Sequence, residues 1–126
     1  MKKGKILVIE DNEQNMYLTN FILEKNGYDV FQARDGLAGL QMVQQIKPDL
    51  ILLDIQLPGM DGYAVAHELR QISALSSTPI VAVTSYAMAG DRERTIAAGC
   101  DGYLEKPINP ATFVQEIERF LDQSSD

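Results

Sequence analysis

The 126-residue sequence has one cysteine, one histidine, fewer basic than acidic side chains and no long apolar run. The single cysteine, Cys100, excludes an internal disulfide framework and a cysteine-rich zinc site, and it suits a reducing compartment as a small buried residue. With 11 basic against 18 acidic side chains and a formal charge of -7, the chain lacks the basic patch that tight binding to nucleic acid or an anionic membrane needs. Cations and proteins are therefore the expected partners, with no nucleic acid and no membrane. The basic start Met1-Lys2-Lys3-Gly4 leads into an apolar run, Ile6 to Ile9, far too short for a secretory h-region or a membrane span, so a cytoplasmic location is expected. No internal repeat, low-complexity tract or linker divides the chain, and neither G-x-G-x-x-G nor a P-loop occurs. One buried core is expected at this length, with the folded unit over residues 1–122 and a short tail at 123–126.

What the sequence does contain is five short β-rich apolar runs, at Lys5 to Ile9, Asp29 to Ala33, Leu50 to Leu53, Pro79 to Thr84 and Gly102 to Glu105, each followed by a segment with helical features. After the first run, Glu13 to Asn26 carries neither Gly nor Pro and stops at Gly27, a residue suited to the left-handed turn that ends a helix. Asp35 is placed to cap a second helix whose apolar stripe is Leu37, Leu40, Val43 and Ile46, broken at Pro48. A third helix is expected to bury Val65, Leu69 and Ile72. The last has Asn109 as N-cap and Pro110 in its first position, and is expected to bury Phe113, Ile117, Phe120 and Leu121. Strands alternating with helices predict an α/β fold: a doubly wound five-stranded parallel sheet, strand order 2-1-3-4-5, covered on both faces. The uninterrupted Leu50-Ile51-Leu52-Leu53 reads as a strand buried on both sides.

In such a sheet ligands bind beyond the carboxyl ends of the strands, at the point where strand order reverses, here between the first and third strands. The residues arriving there are Glu10 and Asp11, then Asp54, then Thr84 and Ser85, and finally Lys106 and Pro107. Singly, each has an ordinary explanation: Asp11 or Asn12 as cap of the first helix, Thr84 or Ser85 as cap of a later one, Asp54 as a loop acid, Lys106 as a solvated charge. Their joint arrival on one edge is what points to chemistry. Two carboxylates about 4 Å apart repel by roughly 4 kcal/mol at an effective dielectric of about 20, so the group calls for a cation or for raised pKa values. Few protein oxygens, with no His or Cys beside them, favour Mg2+ over Ca2+ or Zn2+.

The segments Ile6-Leu7-Val8-Ile9-Glu10-Asp11-Asn12, Asp49 to Gly62 (DLILLDIQLPGMDG), Pro79 to Ser85 (PIVAVTS) and Gly99 to Pro107 (GCDGYLEKP) resemble the receiver domains of two-component response regulators, in order and spacing and over nearly the whole chain. The resemblance implies a flavodoxin-like receiver fold and a signalling protein, not an enzyme acting on other substrates. Such a protein takes a phosphoryl group, with Mg2+ bound, from the phosphohistidine of a histidine kinase or histidine phosphotransfer protein. Position by position, it implies that Asp54 is the phosphoacceptor, that Glu10 and Asp11 hold Mg2+ with Asp54 and the Gln56 carbonyl, and that Thr84 and Lys106 contact phosphoryl oxygens. A cis Lys106–Pro107 bond is implied too, as such bonds belong almost wholly to proline.

Thr84 and Tyr103 form the implied switch. The phosphoryl charge draws the Thr84 hydroxyl toward it, Tyr103 rotates into the space left behind, and the helix 4–strand 5–helix 5 face changes shape for a downstream protein. The weak apolar patterning of Ala87 to Gly99, with Ile96 its main large aliphatic residue, fits an element held loosely enough to move. Glu10 stands where many relatives have a shorter Asp, which suggests contact with the metal through water. Ser85 stands where Ala is common, which narrows access to the phosphoryl group. Phosphoryl transfer asks a protein for positioning and charge neutralisation more than for covalent help, so an in-line carboxylate, Mg2+ and Lys106 suffice.

The lone His67 falls on the polar side of the third helix, opposite Val65 and Leu69, and reads as solvated rather than catalytic. The first helix carries Met16, Tyr17, Leu18, Phe21, Ile22 and Leu23, more apolar surface than one buried face needs; core packing explains most of it, and the rest is a candidate docking face for a histidine-bearing helix. A phosphohydrolase of the haloacid dehalogenase type uses a similar inventory, but its nucleophile follows the first strand as Asp-x-Asp, where this chain has Glu10-Asp11-Asn12. A flavodoxin-like cofactor binder needs a Ser/Thr/Gly-rich first turn to cradle phosphate, and this turn is acidic. A degenerate receiver that binds partners without phosphorylation would not need Glu10, Asp11, Asp54, Thr84 and Lys106 together. With no output domain expected, the signal should leave by protein contact.

Overall fold

Successive side chains of a strand point to opposite faces of its sheet, and the central strands fill both sets with Ile, Leu and Val. The computed structural model describes residues 3–57, 61–84 and 91–124. Strands β1 (Lys5–Ile9), β2 (Asp29–Ala33), β3 (Leu50–Asp54), β4 (Ile80–Thr84) and β5 (Gly102–Glu105) pair in parallel in the order β2-β1-β3-β4-β5. Strand order reverses at β1, where Leu7 lies opposite Phe31 on one side and Ile51 on the other. On one face Leu7, Ile9, Ile51 and Leu53 pack with Val43 of α2 (Gly36–Ile46) and with Val65 and Leu69 of α3 (Gly62–Arg70). On the other, Ile6, Val8, Leu50 and Leu52 meet Met16 and Leu23 of α1 (Glu13–Lys25) and Phe113 and Ile117 of α5 (Pro110–Ser124). Each such side chain contributes about 1.5–3 kcal/mol when fully buried, so a one-residue slip of a central strand would cost both faces at once. The remaining helix, α4, spans Asp91–Ala97.

The expected caps are in place. Asn12 Oδ1 accepts the Asn15 N–H at 2.9 Å, Asp35 Oδ1 the Ala38 N–H at 2.8 Å, and Asn109 Oδ1 the Ala111 N–H at 3.0 Å. Gly27, with φ of +95°, follows the end of α1 in the left-handed region that favours glycine. Among the described residues no helix is long and apolar enough to cross a membrane.

Several expectations need correction. Leu37 is 64% exposed, because α2 turns Gly39 and Val43 onto the sheet, with Gly39 against the Ile9 side chain; Leu40 and Ile46 are only partly buried. Ile72 is not in α3, which ends at Arg70; it leads half-buried into the 3-10 turn Ser73–Leu75, whose Leu75 takes the core position instead. Phe120 and Leu121 pack against the core without being fully covered. Asp54 closes β3 rather than following it, β4 starts at Ile80 after Pro79, and α5 continues to Ser124, past Asp122. In α4, Thr95 is fully buried while Ile96 faces outward. Expectations placed on Ser85, on residues 87–90 and on residues 125–126 lie outside the described residues.

Candidate functional site

Two backbone bonds just past the strands fix the carriers of the site's outer side chains. The Glu10 N–H donates to the Ala33 carbonyl at 2.9 Å and the Lys106 N–H to the Thr84 carbonyl at 2.8 Å, one rung beyond β1 and β5. Asp54 is the last residue of β3, paired with Val83, and Thr84 is the last of β4, paired with Glu105. From these positions Lys106 Nζ reaches Glu10 Oε1 at 3.0 Å and Asp54 Oδ2 at 3.1 Å, and its side chain is only 11% exposed. The second oxygens are also engaged: Glu10 Oε2 accepts the Asn12 N–H at 3.2 Å and Asp54 Oδ1 the Gln56 N–H at 2.9 Å. Glu10, Asp54 and Thr84 are buried, whereas Asp11 is exposed and its carboxylate has no hydrogen-bond or ion-pair partner among the described residues.

One carboxylate oxygen from each of Glu10, Asp11 and Asp54 lies within 4.8 Å of the others, a group able to hold a metal ion. The electrostatics show the strain of collecting them. Burial, followed by the hydrogen bond and charge of Asp54, pushes the Glu10 carboxyl up to about 7 against the opposing pull of Lys106. Burial alone would lower Lys106, but Glu10 and Asp54 outweigh it and hold the ammonium above its usual value. The donors are oxygens only, with no His or Cys in the group, which is the chemistry of a hard cation.

The structure thus brings together Glu10, Asp11, Asp54 and Lys106, with Gln56 bound to Asp54 and Thr84 on the adjoining strand end. The Lys106–Pro107 bond is cis. Tyr103, paired with Ala82, shares a sheet face with Thr84 one pleat further back. It is half-buried and lines a depression of about 390 Å³ with Leu104, Pro107 and Ile108. His67 is exposed, as expected of a solvated residue, and Cys100 is buried. On α1, Tyr17 (73% exposed) and Phe21 stack at 6.4 Å between ring centroids with Leu18 beside them, an apolar face left open to solvent.

Two contributors went unnoticed in the sequence. Asn12 is legible as a cap, but not as the donor that orients Glu10. Asp61–Gly62 is a helix-start signature: Asp61 Oδ1 accepts the Tyr63 N–H at 2.7 Å, and Gly62 brings α3 so close to the end of β3 that a Cβ there would collide with the Ile55 backbone.

Comparison with known proteins agrees with this geometry. The response regulator receiver domain matches residues 6–118. The polar-differentiation response regulator DivK of Brucella anthropi is 40% identical over 116 residues, covering 92% of this chain and 94% of DivK. The chemotaxis response regulator CheY4 of Vibrio cholerae superposes with a TM-score of 0.88 at 29% identity, over 93% of this chain and 98% of that one. The receiver domain of a sensor histidine kinase from Pseudomonas aeruginosa, solved with a magnesium ion coordinated in its active site cleft, gives a TM-score of 0.87 at 34% identity, over 94% and 98%. This chain belongs to the response regulator receiver domain family of two-component signalling proteins, whose members imply a histidine kinase or phosphotransfer partner.

Proposed function

We propose that this receiver takes a phosphoryl group from a phosphohistidine donor onto Asp54 in a Mg2+-dependent reaction, and signals by phosphorylation-dependent protein binding. The observation that carries the reading is the bridge of Lys106 between Glu10 and Asp54 beside three converging carboxylate oxygens. Asp11 and Asp54, with the Gln56 carbonyl and Glu10, would hold Mg2+, which when bound neutralises negative charge on the carboxylates and on the transferred phosphoryl oxygens. Asp54 supplies the nucleophilic oxygen: a bond forms from its carboxylate to phosphorus as the phosphorus–nitrogen bond of the donor breaks and the electron pair leaves with the imidazole. Holding the carboxylate by the Gln56 N–H and the Lys106 ammonium fixes its orientation before the donor arrives. Lys106 and the Thr84 hydroxyl then contact the phosphoryl oxygens.

The exposed Tyr17, Leu18 and Phe21 lie on α1, which begins at Glu13 beside the acidic turn, and form the docking face for the donor's histidine-bearing helix. Thr84 and Tyr103 act as the switch, and the α4–β5–α5 face meets the downstream protein. A cytoplasmic location is consistent with a kinase or phosphotransfer donor as partner. The decisive experiment is labelling with acetyl phosphate or a phosphohistidine donor. Wild type is expected to form a hydroxylamine-labile acyl phosphate and Asp54→Asn to form none, whereas full, hydroxylamine-stable labelling of the variant on Ser or Thr would overturn the reading. Beryllofluoride with Mg2+ is expected to shift the amide resonances of Tyr103 and residues 91–99; perturbation confined to the loops around Asp54 would remove the switch.

A further inference from the structure

Helix α1 buries Met16, Thr19, Ile22 and Leu23, a stripe at helical spacing in which one member is polar. Thr19 is 3% exposed, and its side chain makes no hydrogen bond among the described residues. A valine there would fill the same space without burying a hydroxyl. An unpartnered buried hydroxyl is costly, so a threonine at this position calls for something to bond with.

The candidate partner lies in a small pocket at the carboxyl end of the sheet, on the face that α1 and α5 cover. Val8, Leu52 and Val83 give it apolar walls, and Thr19, Glu10 and Asp54 supply its polar lining. Its volume is about 10 Å³, the space of a single water. Two carboxylates repel an anion, and nothing much larger than water fits. Three polar partners is also the ordinary complement of a buried water. The bonds from Lys106, Asn12 and Gln56 use one lone pair on each carboxylate oxygen and leave capacity for another.

We propose that this pocket binds one ordered water that accepts the Thr19 O–H and donates to Glu10 and Asp54, which makes Thr19 a positioning residue for the acceptor carboxylate. The water gives Asp54 a third anchor beside the Gln56 N–H and the Lys106 ammonium, and ties that carboxylate to α1. The inference rests on Asp54 being the phosphoryl acceptor and adds to that site a residue from the middle of a helix.

The test compares the full chain with Thr19→Val, which keeps the shape and removes the hydroxyl, and with Thr19→Ser, which keeps the hydroxyl and loses a methyl. Oxygen-17 relaxation dispersion of the solvent counts long-lived internal waters; it should find one fewer in Thr19→Val than in wild type and the same number in Thr19→Ser. Labelling of Asp54 by acetyl phosphate should slow about three- to tenfold in Thr19→Val and stay within about twofold in Thr19→Ser. Urea midpoints should rank the variants the other way, with Thr19→Ser the less stable of the two because it leaves a hole in the core. Opposite rankings of rate and stability separate positioning from packing. An unchanged water count in Thr19→Val would overturn the inference, and so would an unchanged labelling rate or rates that follow stability. Failure of wild type to become labelled on Asp54 would instead overturn the proposed function, while the water count would still judge the pocket.

Discussion

At the amino end of the sheet, the end opposite the site, Arg70 closes a network of its own. Its Nε donates to the Gly99 carbonyl at 3.0 Å, Nη1 to the carbonyls of Leu75 at 2.9 Å and Thr78 at 3.1 Å, and Nη2 to Asp101 Oδ2 at 2.7 Å. That same Asp101 oxygen accepts the Ile80 N–H at 2.8 Å, tying the start of β4 to the chain entering β5. At the carboxyl end a single ammonium, Lys106, faces Glu10 and Asp54 with Asp11 beside them. One end sets one carboxylate and three carbonyls against one cation; the other sets three carboxylates against one. A balanced, saturated network is static structure. Surplus negative charge collected at a strand edge is instead a group able to hold a cation, and such departures from local charge pairing are expected at functional sites.

If the two ends do different jobs, they should respond to mutation separately. The largest effect is expected from Arg70→Ala, which removes four hydrogen bonds and should cost about 2–3 kcal/mol of stability. Denaturant midpoints would show it, and Mg2+ affinity, measured well below the midpoint, should be unchanged. A joint loss of both would mean that the ends are coupled and the contrast drawn here is wrong.

Asp11→Asn should do the reverse. Mg2+ affinity is expected to fall about tenfold, roughly 1.4 kcal/mol, with the metal-free protein no less stable because one repelling charge is gone. Marked destabilisation of the metal-free variant by urea would show that Asp11 is structural instead.

The pH response sharpens the same contrast. Glu10 in the metal-free protein titrates at about 7, above its ordinary 4.5. Its contribution to stability is therefore fully present below the unfolded value and is lost as pH rises from about 4.5 through about 7. A bound cation favours the ionised form, so Mg2+ should bind more tightly as pH rises, by at most about fivefold between pH 6 and 7, with proton release. Calorimetry in buffers of different ionisation enthalpy measures that proton, and zero release at pH 7 would contradict the raised Glu10.

The smallest expected effect is at Cys100, next to Asp101 at the amino end. Burial, then the charge of Asp101, push its thiol up to about 12 despite Arg70. Iodoacetamide should leave it unmodified in the native protein at pH 8, and slow labelling should appear only in Arg70→Ala as the clamp loosens.

Much of this molecule is legible because its causes are local. Alternating apolar residues, Asn12, Asp35 and Asn109 as caps, Gly27 as a stop and Pro110 as a start each act within a few residues, and together they gave the five strands, the order of elements and the edge where the acids collect. Leu37 shows the limit. It has the spacing of a core residue, yet which side of α2 faces the sheet is settled by how closely Gly39 meets Ile9, a contact between elements. Ile72 fails for a related reason: helical spacing continues past Arg70, but the chain turns because Arg70 is bound to the Leu75 and Thr78 carbonyls.

For the site, the sequence by itself determined the inventory: which acids, hydroxyl and lysine stand at strand ends, and hence that charge must be neutralised there. Only the tertiary structure decided the pairing. It put Lys106 on Glu10 and Asp54 together, left Asp11 without a partner among the described residues, and raised Glu10 through burial. The physical reason is that coulombic and desolvation energies depend on distance and on exclusion of water, and neither is a property of one residue or its neighbours in the chain. Both arise only when β1, β3 and β5 are brought to a common edge.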